Sequence, residues 1–283
     1  MTAIGTTTHR DAIRVSGPDA ASYLQGQLSQ DVDALAVSTS TWTFVLRPEG
    51  KVHTWARLTK TAADSFLLDT DQGAGEAMQD RLERFLLRIR ADIEEFELPV
   101  VAVRGDAPAG ELHGGVLRLP VAGPALRGYD LLGEAAELPD DVDRVDEAAL
   151  DADRVVHGVP KMGAELTEDT IPAEVGQWIV DQSISFTKGC FVGQELVARI
   201  DSRGGNVPRH LRAIVTDEPV LVGAEVQADA PCGPVTSVAE SPLFGHVALA
   251  YCGRRVEPGT NVVVGDTQGV VHELPLLSGP EDA

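Results

Sequence analysis

Short apolar runs, broken every few positions by Gly or Pro, predict mainly strands along this chain. Residues 12–16 read as a strand ended by Gly17-Pro18. Pro18 and Asp19 then suit the first turn of a helix carrying Tyr23, Leu24 and Leu28. The β-rich runs 42–46 and 52–58 flank the turn Pro48-Glu49-Gly50 as a hairpin, and Phe66-Leu67-Leu68 supplies another strand. Leu82, Phe85, Leu86 and Ile89 recur at helical spacing and predict a helix over 76–90, before returning strands at 93–98 and 100–103. This β-α-β-β-β-α-β order indicates an α+β sheet with helices packed on one side.

A loop at 105–115 leads to a strand-like stretch over 116–132. Residues 137–153 hold eight carboxylates against one arginine, Arg144, and read as a solvated loop entering a helix or as a lure for a basic partner. Beyond Gly204-Gly205, runs at 209–216, 225–228, 235–239, 246–251, 261–264 and 270–273 suggest a small antiparallel barrel or sandwich. Residues 278–283 are expected to be disordered. Arg81, Arg84 and Arg88 share one face of the predicted helix, where pairing with the protein's own carboxylates is the expectation.

At 283 residues the chain has room for a substantial core. Its 23 basic and 44 acidic side chains give a net charge of −21, which opposes non-specific binding to nucleic acid or acidic membranes. Cys190, Cys232 and Cys252 are odd in number and widely spaced, and suggest neither a disulfide framework nor a C-x-x-C metal pair. Residues 1–7 lack the basic and apolar regions of a signal peptide. No apolar run approaches the ~20 residues of a membrane helix, and a reducing cytoplasm fits best.

The densest chemistry lies in Lys188-Gly189-Cys190-Phe191-Val192-Gly193-Gln194-Glu195. Its two glycines let the backbone bend and approach a ligand, and the residues after them are good helix formers. Cys190 is therefore placed just before a helix N-terminus, where the dipole and the Lys188 ammonium favour thiolate. The alternative is a small apolar residue packed beneath a turn.

This octet closely resembles the K-G-C-[FY]-x-G-Q-E signature of the YgfZ-like folate-binding proteins, which serve iron–sulfur protein assembly or repair and are related to the glycine cleavage aminomethyltransferase. Further stretches resemble the family in order: Leu24-Gln25-Gly26-Gln27-Leu28-Ser29-Gln30-Asp31-Val32, Pro48-Glu49-Gly50-Lys51-Val52, Leu82-Glu83-Arg84-Phe85-Leu86-Leu87-Arg88, Arg154-Val155-Val156-His157-Gly158-Val159-Pro160 and Ile171-Pro172-Ala173-Glu174.

The resemblance implies an α+β, aminomethyltransferase-like fold: two halves, 1–104 and 105–205, around a central cavity, then a small antiparallel β-barrel over 206–275 and a disordered tail over 276–283. It implies tetrahydrofolate as cofactor, with Gln27, Asp31, Arg154 and Glu174 as contacts, and a Cys190 sulfur opening onto the cavity beside Lys188. A carboxylate suits the donor pair of a pterin, and arginine suits a glutamyl tail. The implied partners are iron–sulfur assembly machinery or client enzymes. The alternatives are a folate-dependent aminomethyl or methyl transferase and a scaffold with a vestigial pocket. Two departures argue against the transferase: the run 68–76 lacks the catalytic-Asp pattern of that enzyme, and Gly128-Tyr129-Asp130-Leu131 lacks its T-G-E turn.

Overall fold

The computed structural model describes residues 3–108 and 112–276, so the expected disorder at 278–283 lies outside the described residues. The first half of the chain contributes β1 (Ile4–Ser16), α1 (Ala20–Gln27), β2 (Ser40–Leu46), β3 (Val52–Ala62), β4 (Ser65–Thr70), α2 (Gly75–Glu83) and β5 (Asp92–Arg104). Next come β6 (Leu117–Pro120), β7 (Gly128–Leu132), β8 (Asp143–Arg144), α3 (Glu147–Val156), α4 (Pro172–Val175), α5 (Gln177–Ser183) and α6 (Gln194–Ser202). The remainder is all strand: β9 (Arg209–Thr216), β10 (Val226–Gln227), β11 (Cys232–Ser241), β12 (Gly245–Gly253), β13 (Asn261–Val264) and β14 (Thr267–His272). The α+β class read from the sequence is the class observed.

Strands β1 to β8 form one sheet in the order β2-β3-β4-β1-β5-β7-β6, with β8 pairing parallel to the start of β1. Its spine is the antiparallel β1/β5 pair, in register from Ile4↔Arg104 to Ser16↔Asp92. β1 thus begins eight residues before the predicted 12–16. That extension, with Thr6-Thr7-Thr8-His9-Arg10, carries no apolar signal and is held as a strand by its partner.

One face of the sheet packs Ile13, Val15, Ala56, Leu58, Phe66 and Leu68 against α1 and α2 through Leu24, Leu28, Met78 and Leu82. The other face, carrying Trp42, Phe44 and Trp55, meets Val155 of α3, Ile179 of α5 and Leu211 and Leu249 of the second sheet. Helices therefore cover both faces rather than one. The signal is Phe44-Val45-Leu46, all buried, because consecutive apolar residues mark a strand enclosed on both sides.

The predicted helix 76–90 is shorter than its periodicity. α2 ends at Glu83, and Arg88 adopts φ 66°. Phe85, Leu86 and Ile89 continue through backbone bonds to Leu82, Glu83 and Leu86, tight turns whose spacing of three still returns Leu86 and Ile89 to the core.

Strands β9 to β14 form an antiparallel sheet in the order β10-β13-β14-β9-β12-β11. Its two ends are joined by Gly223 N donating to Val235 O at 2.8 Å and Val235 N donating to Ala224 O at 2.9 Å. These bonds curl the sheet towards closure around Ile214, Val235, Ala248 and Val264, leaving less edge for stray pairing.

Candidate functional site

A cavity of about 410 Å³ opens between the first sheet and α3. Trp42 and Trp55 form an apolar wall, their rings stacked at 4.3 Å with 28° between planes. The indole Nε1 of Trp42 is buried with no partner among the described residues. Trp55 Nε1 donates to Ser183 Oγ at 3.0 Å, which fixes that ring against α5.

Behind the wall runs a chain of alternating charges. Asp71 Oδ1 accepts from Arg10 at 3.1 Å, and Arg10 Nε donates to Asp69 at 2.6 Å. Arg57 then donates to both Asp69 oxygens and, at 2.8 Å, to Asp130, which also accepts from Arg104 at 2.9 Å. Arg57 and Asp69 are fully buried, so each charge depends on the others for the solvation that water no longer gives. Burial alone would raise the Asp130 carboxyl, but Arg104, Arg57 and Arg10 outweigh it and hold its pKa down to about 2. Burial likewise works against the Arg10 charge, yet Asp69, Asp71 and Asp130 hold its pKa above the ordinary guanidinium value.

Of the residues expected to touch folate, Arg154 lines this cavity. It donates to Asp151 at 2.8 Å, to Val159 O at 2.7 Å, to Glu165 at 3.1 Å and to Ser237 Oγ on β11 at 2.8 Å. The acidic segment does lead into a helix, α3, with Asp146 capping it by accepting from Ala149 N at 2.9 Å. Asp151 of that segment helps to hold Arg154 in place.

Gln27, Asp31 and Glu174 do not line the cavity. Gln27 Oε1 accepts from Arg81 at 3.1 Å. Arg81 lies 4.2 Å from the Phe85 ring centroid, so this buried arginine pairs with an amide and an aromatic rather than with the carboxylates expected from its position. Asp31 Oδ1 takes Gln25 Nε2 at 3.0 Å and Asp33 N at 3.2 Å, closing a turn after α1. Glu174 is buried, accepts from Ile171 N at 3.1 Å and from Arg209 at 3.1 Å, and so ties α4 to β9.

The glycine-cysteine loop forms a second locus. Cys190 is exposed, neither beneath a turn nor lining the cavity, and this corrects the expectation that its sulfur opens onto that space. It stands ahead of α6, whose N-cap is Gly193 in the left-handed conformation at φ 83°. A Cβ on Gly193 would fall 2.5 Å from Arg47 O, and one on Gly50 would fall 3.0 Å from Gly193 O. The two motif glycines therefore press the hairpin turn against the start of α6. By contrast, a Cβ on Gly189 or on Gly26 would meet nothing within 4 Å.

Lys188 does not reach towards the thiol as a free cation. Its Nζ donates to the carbonyls of Gln25 (2.6 Å), Leu28 (2.7 Å) and Gln30 (2.9 Å), clamping the C-terminal end of α1. Burial pulls its pKa down to about 8 against the pull of Asp31 and Asp33. A run of hydrogen bonds joins the two loci. Ser183 O accepts from Ser29 Oγ at 2.6 Å, Ser185 N donates to Ser29 O at 2.9 Å, and Lys188 N donates to Ser185 Oγ at 3.3 Å.

The sequence reading missed Arg10, Arg57, Asp69, Asp71 and Glu165. A usable signal existed for several: Arg57 between Ala56 and Leu58, and Asp69 after Leu67-Leu68, are charges set inside apolar strand runs.

No family model matches the chain. An uncharacterised protein of Haemophilus influenzae is 28% identical over 78% of this chain and 76% of its own length. The tRNA-modifying protein YgfZ of Edwardsiella ictaluri is 31% identical over 69% of this chain and 65% of its own. A mitochondrial iron-sulfur cluster assembly factor IBA57 homolog of Pyricularia oryzae is also 31% identical, over 74% of this chain but little more than half, 56%, of its own length. Among solved structures, the glycine cleavage system aminomethyltransferase T of Bartonella henselae superposes with a TM-score of 0.77 over 98% of this chain and 86% of its own, at 20% identity. That likeness carries the fold.

Proposed function

The chain belongs to the YgfZ-like family, kin of the glycine cleavage aminomethyltransferase, and from that premise we propose that it binds a tetrahydrofolate in the central cavity and supports assembly or repair of iron–sulfur proteins through Cys190. The observation that carries the folate reading is the cavity wall. Its volume is in the range of small-molecule sites, and the stacked Trp42 and Trp55 pair gives it an apolar side that suits a pterin. Asp71 accepts from Arg10 through Oδ1 and from Met162 N at 2.8 Å through Oδ2, and the second lone pair of each oxygen is what it offers the amide and amine donors of that ring. Arg104 and Arg154 bring positive charge towards the carboxylates of a glutamyl tail. These residues fit the group. Bound there, it supplies a carrier for one-carbon units, and the protein's part is to orient and shield it.

Aminomethyl transfer is the weaker reading. Asp69 and Asp130 do reach this region although the relatives' motifs are missing, but each is held by two guanidiniums, which occupy the oxygens that a catalytic carboxylate would turn to substrate.

Cys190 acts outward. Its thiol is exposed, and Gly26 and Gly189 leave open space with no steric need of their own, as expected where another surface approaches. One cysteine cannot hold a cluster alone, so it serves as one ligand while a partner supplies the rest. A link to tRNA modification, in the name of the Edwardsiella relative, then runs through a partner enzyme, because a net charge of −21 opposes direct binding of a polyanion.

Two measurements test the proposal: calorimetric titration with tetrahydrofolate, and complementation of an iron–sulfur enzyme defect by Cys190→Ser. Saturable heat with lost complementation is expected. Absence of heat at high micromolar ligand overturns the folate half, and full complementation by the variant overturns the cysteine half.

A further inference from the structure

The second sheet holds a thiol pair and a basic pocket that the proposed function does not use. We propose that Cys232 and Cys252 are a redox-active dithiol, closed to a cross-strand disulfide by an anionic low-molecular-weight disulfide that enters an arginine-lined pocket.

The geometry comes from strand register. Cys232 on β11 lies directly opposite Cys252 on β12. Pro231 O accepts from Gly253 N at 2.9 Å, so the ladder bonds flank the cysteines and the two form a non-hydrogen-bonded pair. In such pairs the Cα atoms are about 4.5 Å apart with side chains on the same face, inside the range that a disulfide spans without backbone movement. Both thiols are free in this structure.

Access is asymmetric. Cys232 is half-buried and lines a pocket of about 530 Å³, whereas Cys252 is 1% exposed. Burial, then the neighbouring Cys232 sulfur, push the Cys252 thiol up, so it stays protonated and inert until its partner is engaged. Cys232 is thus the entering thiol and Cys252 the resolving one.

The pocket selects the reagent. Arg209, Arg254 and Arg255 line it together with Cys232. Arg209 is partly neutralised by Glu174, which leaves Arg254 and Arg255 as the main positive charges at its mouth. On a chain of net charge −21, a local basic cluster is what admits an anionic reagent. In the first step the Cys232 sulfur attacks R–S–S–R, forming Cys232–S–S–R and releasing R–SH. Cys252 then attacks the Cys232 sulfur, gives up its proton and releases the second R–SH. The balance is one disulfide reduced to two thiols and two cysteines oxidised to one disulfide.

The test uses the full chain, reduced and then held in glutathione redox buffers, acid-quenched, alkylated and read by peptide mass spectrometry. A cross-linked 232–252 peptide 2 Da below the dithiol mass, with Cys252→Ser stopping at a Cys232–glutathione adduct, supports the proposal. The double variant Arg254→Gln/Arg255→Gln is expected to react about 3–10-fold more slowly with oxidised glutathione, and unchanged with uncharged hydroxyethyl disulfide. Three results overturn it: both cysteines still reduced when Cys190 is fully glutathionylated, a stable adduct on Cys232 in the unmodified chain, or equal glutathione rates in the arginine variant.

Discussion

Replacing Lys188 by methionine keeps most of the apolar stem and removes the ammonium that binds three carbonyls in the last turn of α1 and just beyond it. A hydrogen bond to a charged group contributes about 1.5–3 kcal/mol, and a buried acceptor left unpaired costs about 1–3 kcal/mol. Only the Leu28 bond is wholly buried; the carbonyls of Gln25 and Gln30 lie in partly buried surroundings and regain some water. The loss is therefore about 2–4 kcal/mol rather than the sum of three bonds. For a chain of this size that lowers Tm by roughly 5–15 °C. Equilibrium urea unfolding followed by circular dichroism reads the change. A loss below about 0.5 kcal/mol, the scatter of ordinary surface substitutions, would refute the clamp.

The pH dependence of the same pair of proteins supplies a second check. Lys188 has its pKa lowered from 10.5 to about 8 by burial, so between those values the unfolded chain binds the proton more tightly than the folded one. Stability attributable to residue 188 then rises with pH across that window and falls away as pH drops through about 8. The advantage of the native chain over Lys188→Met should grow from pH 8 to 10.5. A flat difference across that range contradicts the burial argument.

Other outcomes follow from the same geometry. Gly193→Ala places a Cβ against Arg47 O at a positive φ and should cost about 2 kcal/mol or more in urea unfolding, whereas Gly189→Ala should stay within about 0.5 kcal/mol yet lose complementation. Asp130→Asn leaves Arg57 and Arg104 short of an anion and should cost about 3–5 kcal/mol at pH 7. Because the Asp130 pKa is lowered from 3.8 to about 2, its stabilisation is present above the higher value and lost as pH falls through the lower. The asparagine variant should therefore show a shallower stability slope between pH 4 and 2, with an unchanged slope as the contrary result.

The elements that alternate apolar and polar residues were legible in the sequence, and the site was less so. The hairpin around Pro48-Glu49-Gly50 and the strands of the second sheet fall where their turn residues put them. The charge network was invisible because strand order alone assembles it: Asp69 faces Arg57 across β3/β4, while Asp130 arrives from β7, beyond β1 and β5. Spacing along the chain carries no trace of that order. Gln27 and Asp31 are ligand contacts only by the family resemblance, and their hydrogen bonds go to Arg81 and to a local turn. Cys190 shows the reverse case. Its helix-N-terminal placement was readable from the glycines, but which way the loop faces depends on Lys188 folding back onto α1.

The central claim, a folate cavity separate from an outward-facing thiol, is tested most directly by tetrahydrofolate dissociation constants for two variants. Ala148 is exposed at the cavity lining, so Ala148→Trp fills that space without disturbing the core and should weaken binding by at least about tenfold, or 1.4 kcal/mol. Cys190→Ser should bind within about twofold of the native chain. Binding that survives the tryptophan and disappears with the serine would put the ligand at the loop and contradict the account.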